Sequence, residues 1–220
     1  MRIERYDRRQ TGRLAVFCDA AQRDLKLFAF ILLTLCVYRA YFMFYMSGYM
    51  MPSTGVADIV LALVTGLRLS LKTAGAIALP AFVFCSLPLL IARRLSSILL
   101  RLRLVWGSLA VFAFAVLFQA RFPFYRQYQT GFHLQVAAGI FSMLVQEYGF
   151  VWRFALALLL TAVSIYLLHK LLCVRGTYPL PALRSRTQSA GFSLCFLLIF
   201  AVLFVFVRFG GSFTYAHGVN

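Results

Sequence analysis

Five stretches of this chain are apolar for long enough to cross a lipid bilayer, and clusters of arginine and lysine separate them. A spanning helix needs about 20 mainly apolar residues. Leu27–Met46, Thr73–Ala92, Leu104–Ala120, Val151–Leu172 and Ala190–Val207 meet that requirement. The composition agrees: 62% of the 220 residues are hydrophobic and 13% charged, against about 45–50% and about 25% in a soluble domain. No water-soluble core could bury such an excess. The expected fold is all-α, a polytopic bundle of five transmembrane helices with short interfacial helices beside them. A net charge of +16 raises nucleic acid as a partner, but the basic residues lie between apolar blocks rather than along one stripe. That spacing is a signature of bilayer topology.

Two shorter apolar stretches, Ala57–Leu67 and Leu134–Val145, are stopped by polar residues and read as half-length, interfacial or re-entrant segments. Residues 1–26 read as a basic, amphipathic cytoplasmic segment, with a short interfacial helix ahead of the first span. The first span itself reads as an uncleaved anchor, because it is longer than a signal-peptide core and lacks a small-residue exit. Residues 27–208 form the membrane domain, and 209–220 read as the start of an extracytoplasmic linker. Pro80 and Pro88 lie inside the second span, where a kink is expected and neighbouring helices can satisfy the freed carbonyls.

Orientation follows from the loop charges. Arg2, Arg5, Arg8, Arg9, Arg13, Arg23 and Lys26 precede the first span. Arg93, Arg94, Arg101 and Arg103 follow the second, and Lys170, Arg175, Arg184 and Arg186 join the fourth to the fifth. The positive-inside rule then predicts the amino terminus inside and the carboxyl terminus outside.

Catalytic chemistry is sparse. There is no phosphate-binding glycine loop, no H-E-x-x-H and no C-x-x-C. The 5 cysteines are scattered and the 3 histidines stand in different loops. With 6 acidic residues in all, neither a carboxylate pair nor a metal cluster is apparent, so no catalytic residue, metal ligand or cofactor site is expected in this chain. The informative residues are cations on the outer side. Arg39 lies within the first span among Tyr38, Tyr41, Phe42 and Tyr45, and an intramembrane cation is a functional candidate by default. The alternative is snorkelling, with the tyrosines as an interfacial belt. Arg39, Arg68, Lys72, Arg121 and Arg126 together suggest an anionic head-group site, since guanidinium groups grip phosphate bidentately.

Three segments carry a family likeness. They are Gly66-Leu67-Arg68-Leu69-Ser70-Leu71 entering the second span, Arg121-Phe122-Pro123-Phe124-Tyr125-Arg126 with Gly131-Phe132-His133 after the third, and Arg208-Phe209-Gly210-Gly211-Ser212-Phe213 leaving the fifth. With the five-span layout, they resemble the membrane portion of the lipoteichoic acid synthase family, phosphoglycerol-type transferases of the alkaline phosphatase and sulfatase superfamily. Ser70 stands where the family pattern has Asp. The resemblance implies a membrane module of the bacterial cytoplasmic membrane that anchors a downstream extracytoplasmic catalytic domain and presents a lipid such as phosphatidylglycerol. In the family that domain supplies a threonine nucleophile and a divalent metal, usually manganese. Here the chain stops at Asn220, shortly past the fifth span, so a fragment or a divergent remnant is expected. The alternatives are a small polytopic transporter, disfavoured by the lack of an inverted repeat, and a non-catalytic envelope scaffold.

Overall fold

A chain segment in hydrocarbon must satisfy its backbone polar groups internally, which leaves helices as the economical solution for an apolar run of this kind. The computed structural model describes residues 13–45, 47–49, 55–128, 150–173 and 186–209. Every regular element among them is helical. The long helices are α1 (Arg13–Tyr45), α2 (Val56–Ala81), α3 (Ser96–Tyr128), α4 (Phe150–Cys173) and α5 (Arg186–Phe209). All five carry a stretch long and apolar enough to span a membrane. The protein is a multi-pass membrane protein. Below, "basal" denotes the end where α1 begins and "apical" the end where it finishes.

Exposed residues mark the apolar belt. Arg101 and Arg121 are both exposed on α3 and lie about 30 Å apart at 1.5 Å per residue, the thickness of a bilayer's hydrocarbon. The outward face of α1 carries Asp19, Gln22 and Lys26, then turns apolar through Ala29, Leu33, Val37, Ala40 and Phe44. Gln188 to Arg208 on α5 spans a similar length.

Three boundaries differ from the sequence reading. Residues 13–26 do not form a separate interfacial helix, because α1 runs from Arg13 into the first span without a break. Ala57–Leu67 is likewise no half-length element: it is the first part of α2, and helical structure continues to Leu90. Arg68 and Lys72 suggested a membrane edge, yet both are good helix formers and sit one turn apart within α2. The third span extends at both ends, with Leu99 packed in a basal core and α3 continuing to Tyr128. The Leu134–Val145 segment lies outside the described residues.

The prolines act where expected. Directly after Pro80 the α geometry gives way to a π-turn, Phe82–Ser86, and a 3-10 turn, Leu87–Leu90. The Leu87 N–H donates to the Phe82 carbonyl, five residues back. Trp106 Nε1 donates to the Ile77 carbonyl at 2.9 Å, so α3 contributes a donor to the turn preceding Pro80.

Because lipid tails are as apolar as leucine, helices in a membrane associate through close packing and polar contacts. The buried face of α2 is accordingly small: Gly66, Ser70, Ala74, Gly75, Ala78 and Ala81. Ala74 shares a core cluster with Ile31 of α1, and a Cβ on Gly75 would strike Val207 Cγ2 of α5.

At the basal end the decisive contact is polar. Asp24 of α1, Ser86 of the π-turn and Arg103 of α3 are all buried, at 0%, 0% and 2% exposure. Arg103 Nε donates to Asp24 Oδ1 at 2.5 Å, and Arg103 Nη2 donates to Ser86 Oγ at 3.0 Å. Ser86 Oγ in turn donates to Asp24 Oδ2, closing the ring. Breaking a buried pair by removing one partner costs about 3–5 kcal/mol, whereas replacing both by apolar residues is often neutral. Arg103→Leu and Asp24→Leu are therefore each expected to lose that much stability. The double variant should recover most of it, as read by denaturant unfolding in detergent followed by circular dichroism.

Candidate functional site

At the apical end, Arg39 leaves α1 and lies across α2 at Gly66. A Cβ built on Gly66 would stand 2.8 Å from Arg39 Cζ and closer still to its Nη1. Glycine is what the seat requires: any larger residue would expel the guanidinium. Arg39 is half-buried. Among the described residues no carboxylate pairs with it. Asp19 is bound to Arg23 at 2.9 Å, Asp24 to Arg103, and Asp58 accepts from the Gly55 N–H at 3.0 Å at the start of α2. Arg39 is thus a cation within the apolar belt, seated and, among the described residues, without a counter-charge.

The tyrosines expected to form an interfacial belt instead join α1 to α3. Tyr38 stacks on Phe118 with centroids 4.3 Å apart and planes 10° from parallel. Tyr41, Phe42 and Tyr45 surround Phe122 at 5.8, 5.5 and 5.0 Å. Arg121 places Cζ 4.3 Å from the centroid of Phe42, a cation–π geometry. Arg39 and Phe42 are neighbours one turn apart on α1, so Arg121 approaches from α3 the apical turn that also carries Arg39.

The remaining candidates fall elsewhere. Arg68 and Lys72 are one turn apart on α2, and at 100° per residue they project well away from the face that carries Gly66 and Ser70. Arg126 belongs to α3, and its side chain lies outside the described residues, as does His133. Ser70 is 2% exposed and faces the bundle, and among the described residues its hydroxyl has no hydrogen-bond partner.

Sequence reasoning missed the Asp24–Ser86–Arg103 ring, having placed Asp24 on the polar side of the amphipathic segment before the first span and Arg103 in the basic loop after the second. A signal existed: Asp24 lies on the α1 face of Leu27, Ala20 and Ile31, three, four and seven residues away along the helix, rather than on that of Asp19, Gln22 and Lys26. A second missed contact is Cys18 Sγ against Ser193 Oγ at 3.4 Å, which ties α1 to α5. Among the described residues no group of histidine, cysteine and carboxylate side chains is arranged to hold a metal.

The Gly66 seat can be measured. Overpacking a rigid core typically costs about 1–3 kcal/mol, but the group in the way here is the outer part of a flexible arginine, so Gly66→Ala should displace Arg39 at a cost of about 1 kcal/mol or less. In a background of Arg39→Ala the same change should cost nothing. A double-mutant cycle in detergent unfolding reads the coupling, expected at about 0.5–1 kcal/mol.

No family model, curated protein or solved structure matches the chain.

Proposed function

We propose that this membrane protein holds the phosphate of an anionic phospholipid on Arg39 and presents that lipid at its apical, extracytoplasmic face. In this reading it is the membrane module of a phosphoglycerol- or phosphoethanolamine-transferring system of a bacterial cytoplasmic membrane. The observation that carries it is Arg39, a guanidinium in the belt that no carboxylate among the described residues pairs with. Its seat over Gly66 fixes where it points, and three N–H-bearing nitrogens on a planar fork suit a phosphate. Arg121, which reaches Phe42 on α1 from α3, adds a second positive centre nearby. The transferase part rests on the sequence resemblance, and the orientation on the basic clusters at the basal ends of the spans.

The test of lipid binding is selective retention. Purified protein in mild detergent is offered phosphatidylglycerol or phosphatidylcholine, and bound lipid is counted by native mass spectrometry. The parent should favour phosphatidylglycerol, and Arg39→Gln should lose about tenfold of that preference, the equivalent of about 1.4 kcal/mol. Identical retention by parent and variant would dismiss the site. Orientation is read separately, by labelling single cysteines at positions 101 and 208 in intact cells. Position 208 should react with an impermeant reagent, and position 101 only after lysis.

A further inference from the structure

Lys72 poses a problem the head-group site does not solve. Ala74 packs with Ile31 and Gly66 with Arg39, so α1 and α2 run antiparallel in constant register. That register sets Lys72 level with Leu33, within about 5 Å of the middle of the belt marked by Lys26 and Tyr45 on α1. The basal rim is about 10 Å from its Cα. A helical Cβ points toward its helix's N-terminus, which for α2 is the apical end, so the side chain sets out away from the nearer rim. Lys72 is half-buried, and among the described residues it has neither a hydrogen bond nor an ion pair.

The surface around it has a helix-docking pattern. Thr65, Leu69 and Ala76 are exposed on the same outward face of α2. With Lys72 they recur at spacings of four, three and four residues, the seam that lets one helix insert its side chains between those of another. Two of the four are small, which favours close approach of backbones in a membrane. A single polar residue in such a seam sets register and partner choice.

We infer that this face of α2 binds a transmembrane helix of another protein, one carrying an aspartate or glutamate near mid-membrane that pairs with Lys72. Charge complementarity selects the partner. A second copy offers no such carboxylate among the described residues: Asp19 and Asp24 lie beyond the basal rim, and Asp58 lies beyond the apical one in the same register. The seam is independent of Arg39, which lies on a different face of α2.

The experiment uses the full chain in phosphatidylcholine nanodiscs with a fluorescent leucine-rich transmembrane peptide bearing one central Asp, and an all-leucine control. Energy transfer should show the Asp peptide binding at least about tenfold more tightly than the control, as for a desolvated charge pair. Lys72→Leu, an apolar change on an outward face, should abolish the preference and leave the fold intact. Lys72→Arg should keep it, and Lys72→Glu should transfer it to a peptide with a central Lys. Three results overturn the inference. One is an Asp preference that survives in Lys72→Leu. Another is Lys72-dependent energy transfer between copies of the chain alone. The third is a Lys72→Leu variant that loses phosphatidylglycerol retention while peptide binding is unmoved.

Discussion

In hydrocarbon, two apolar helices can slide along one another at little cost, because no hydrophobic penalty opposes a shift of a few ångströms. The ring of Asp24, Ser86 and Arg103 removes that freedom. A carboxylate with both oxygens engaged and a guanidinium that donates to two partners tolerate only one axial position for α1, the end of α2 and the start of α3. Its placement keeps the cost down. Asp24 lies two residues basal of Lys26, and Arg103 two residues from the exposed Arg101, so the ring sits at the rim, where the dielectric is higher than in the belt. The π-turn serves the same end. An extra residue in the turn after Pro80 rotates the following side chains, and the altered backbone brings Ser86 to face Asp24 while Phe82 stacks on Phe200 at 3.9 Å.

From that fixed point the rest of the register follows. Once Asp24 is set, Ile31 meets Ala74 and Arg39 meets Gly66, since both helices rise equally per residue. The basal pin therefore positions the apical cation, although several helical turns separate them. Small side chains on α2 make the intervening contact close enough for the alignment to persist. The aromatic cluster of Tyr38, Phe42, Phe118 and Phe122 closes α1 onto α3 at the far end.

The five spans were legible in the sequence because hydropathy averages over all faces of a helix, and a lipid-exposed helix is apolar on nearly all of them. Boundaries were less legible for the same reason. Arg68 and Lys72 lower the local average and imitate a membrane edge, although each occupies only one flank of an unbroken helix. Asp24 and Arg103 were read as solvated by the opposite error, since a charged neighbourhood hides which face each residue takes. Pro80 and Pro88 announced a departure from α geometry, because a missing N–H is a local fact. Arg39 stood out as a cation in an apolar run, while Gly66 did not, because its role depends on a side chain from another helix.

The distribution of charge constrains what can complete this molecule. A lysine or arginine at the centre of a spanning helix costs about 2.5–3.5 kcal/mol on insertion scales, so its retention calls for compensation. Among the described residues the carboxylates are already committed: Asp19 to Arg23, Asp24 to Arg103 and Asp58 to the backbone of its own helix start. Arg39 and Lys72 cannot both draw on them. The two differ in what can reach them. Both lie about 9–10 Å from the nearer rim, so depth does not separate them. Arg39 lies against α2 with Arg121 reaching the same stretch of α1 from the apical side, a second cation on the way in for a lipid phosphate. Lys72 lies on an outward face of mixed small and apolar side chains, where a head group would have to cross that hydrocarbon. A carboxylate delivered on a helix makes no such crossing, because it is already at that depth. The same shortage of acidic residues thus points to lipid at one cation and to protein at the other.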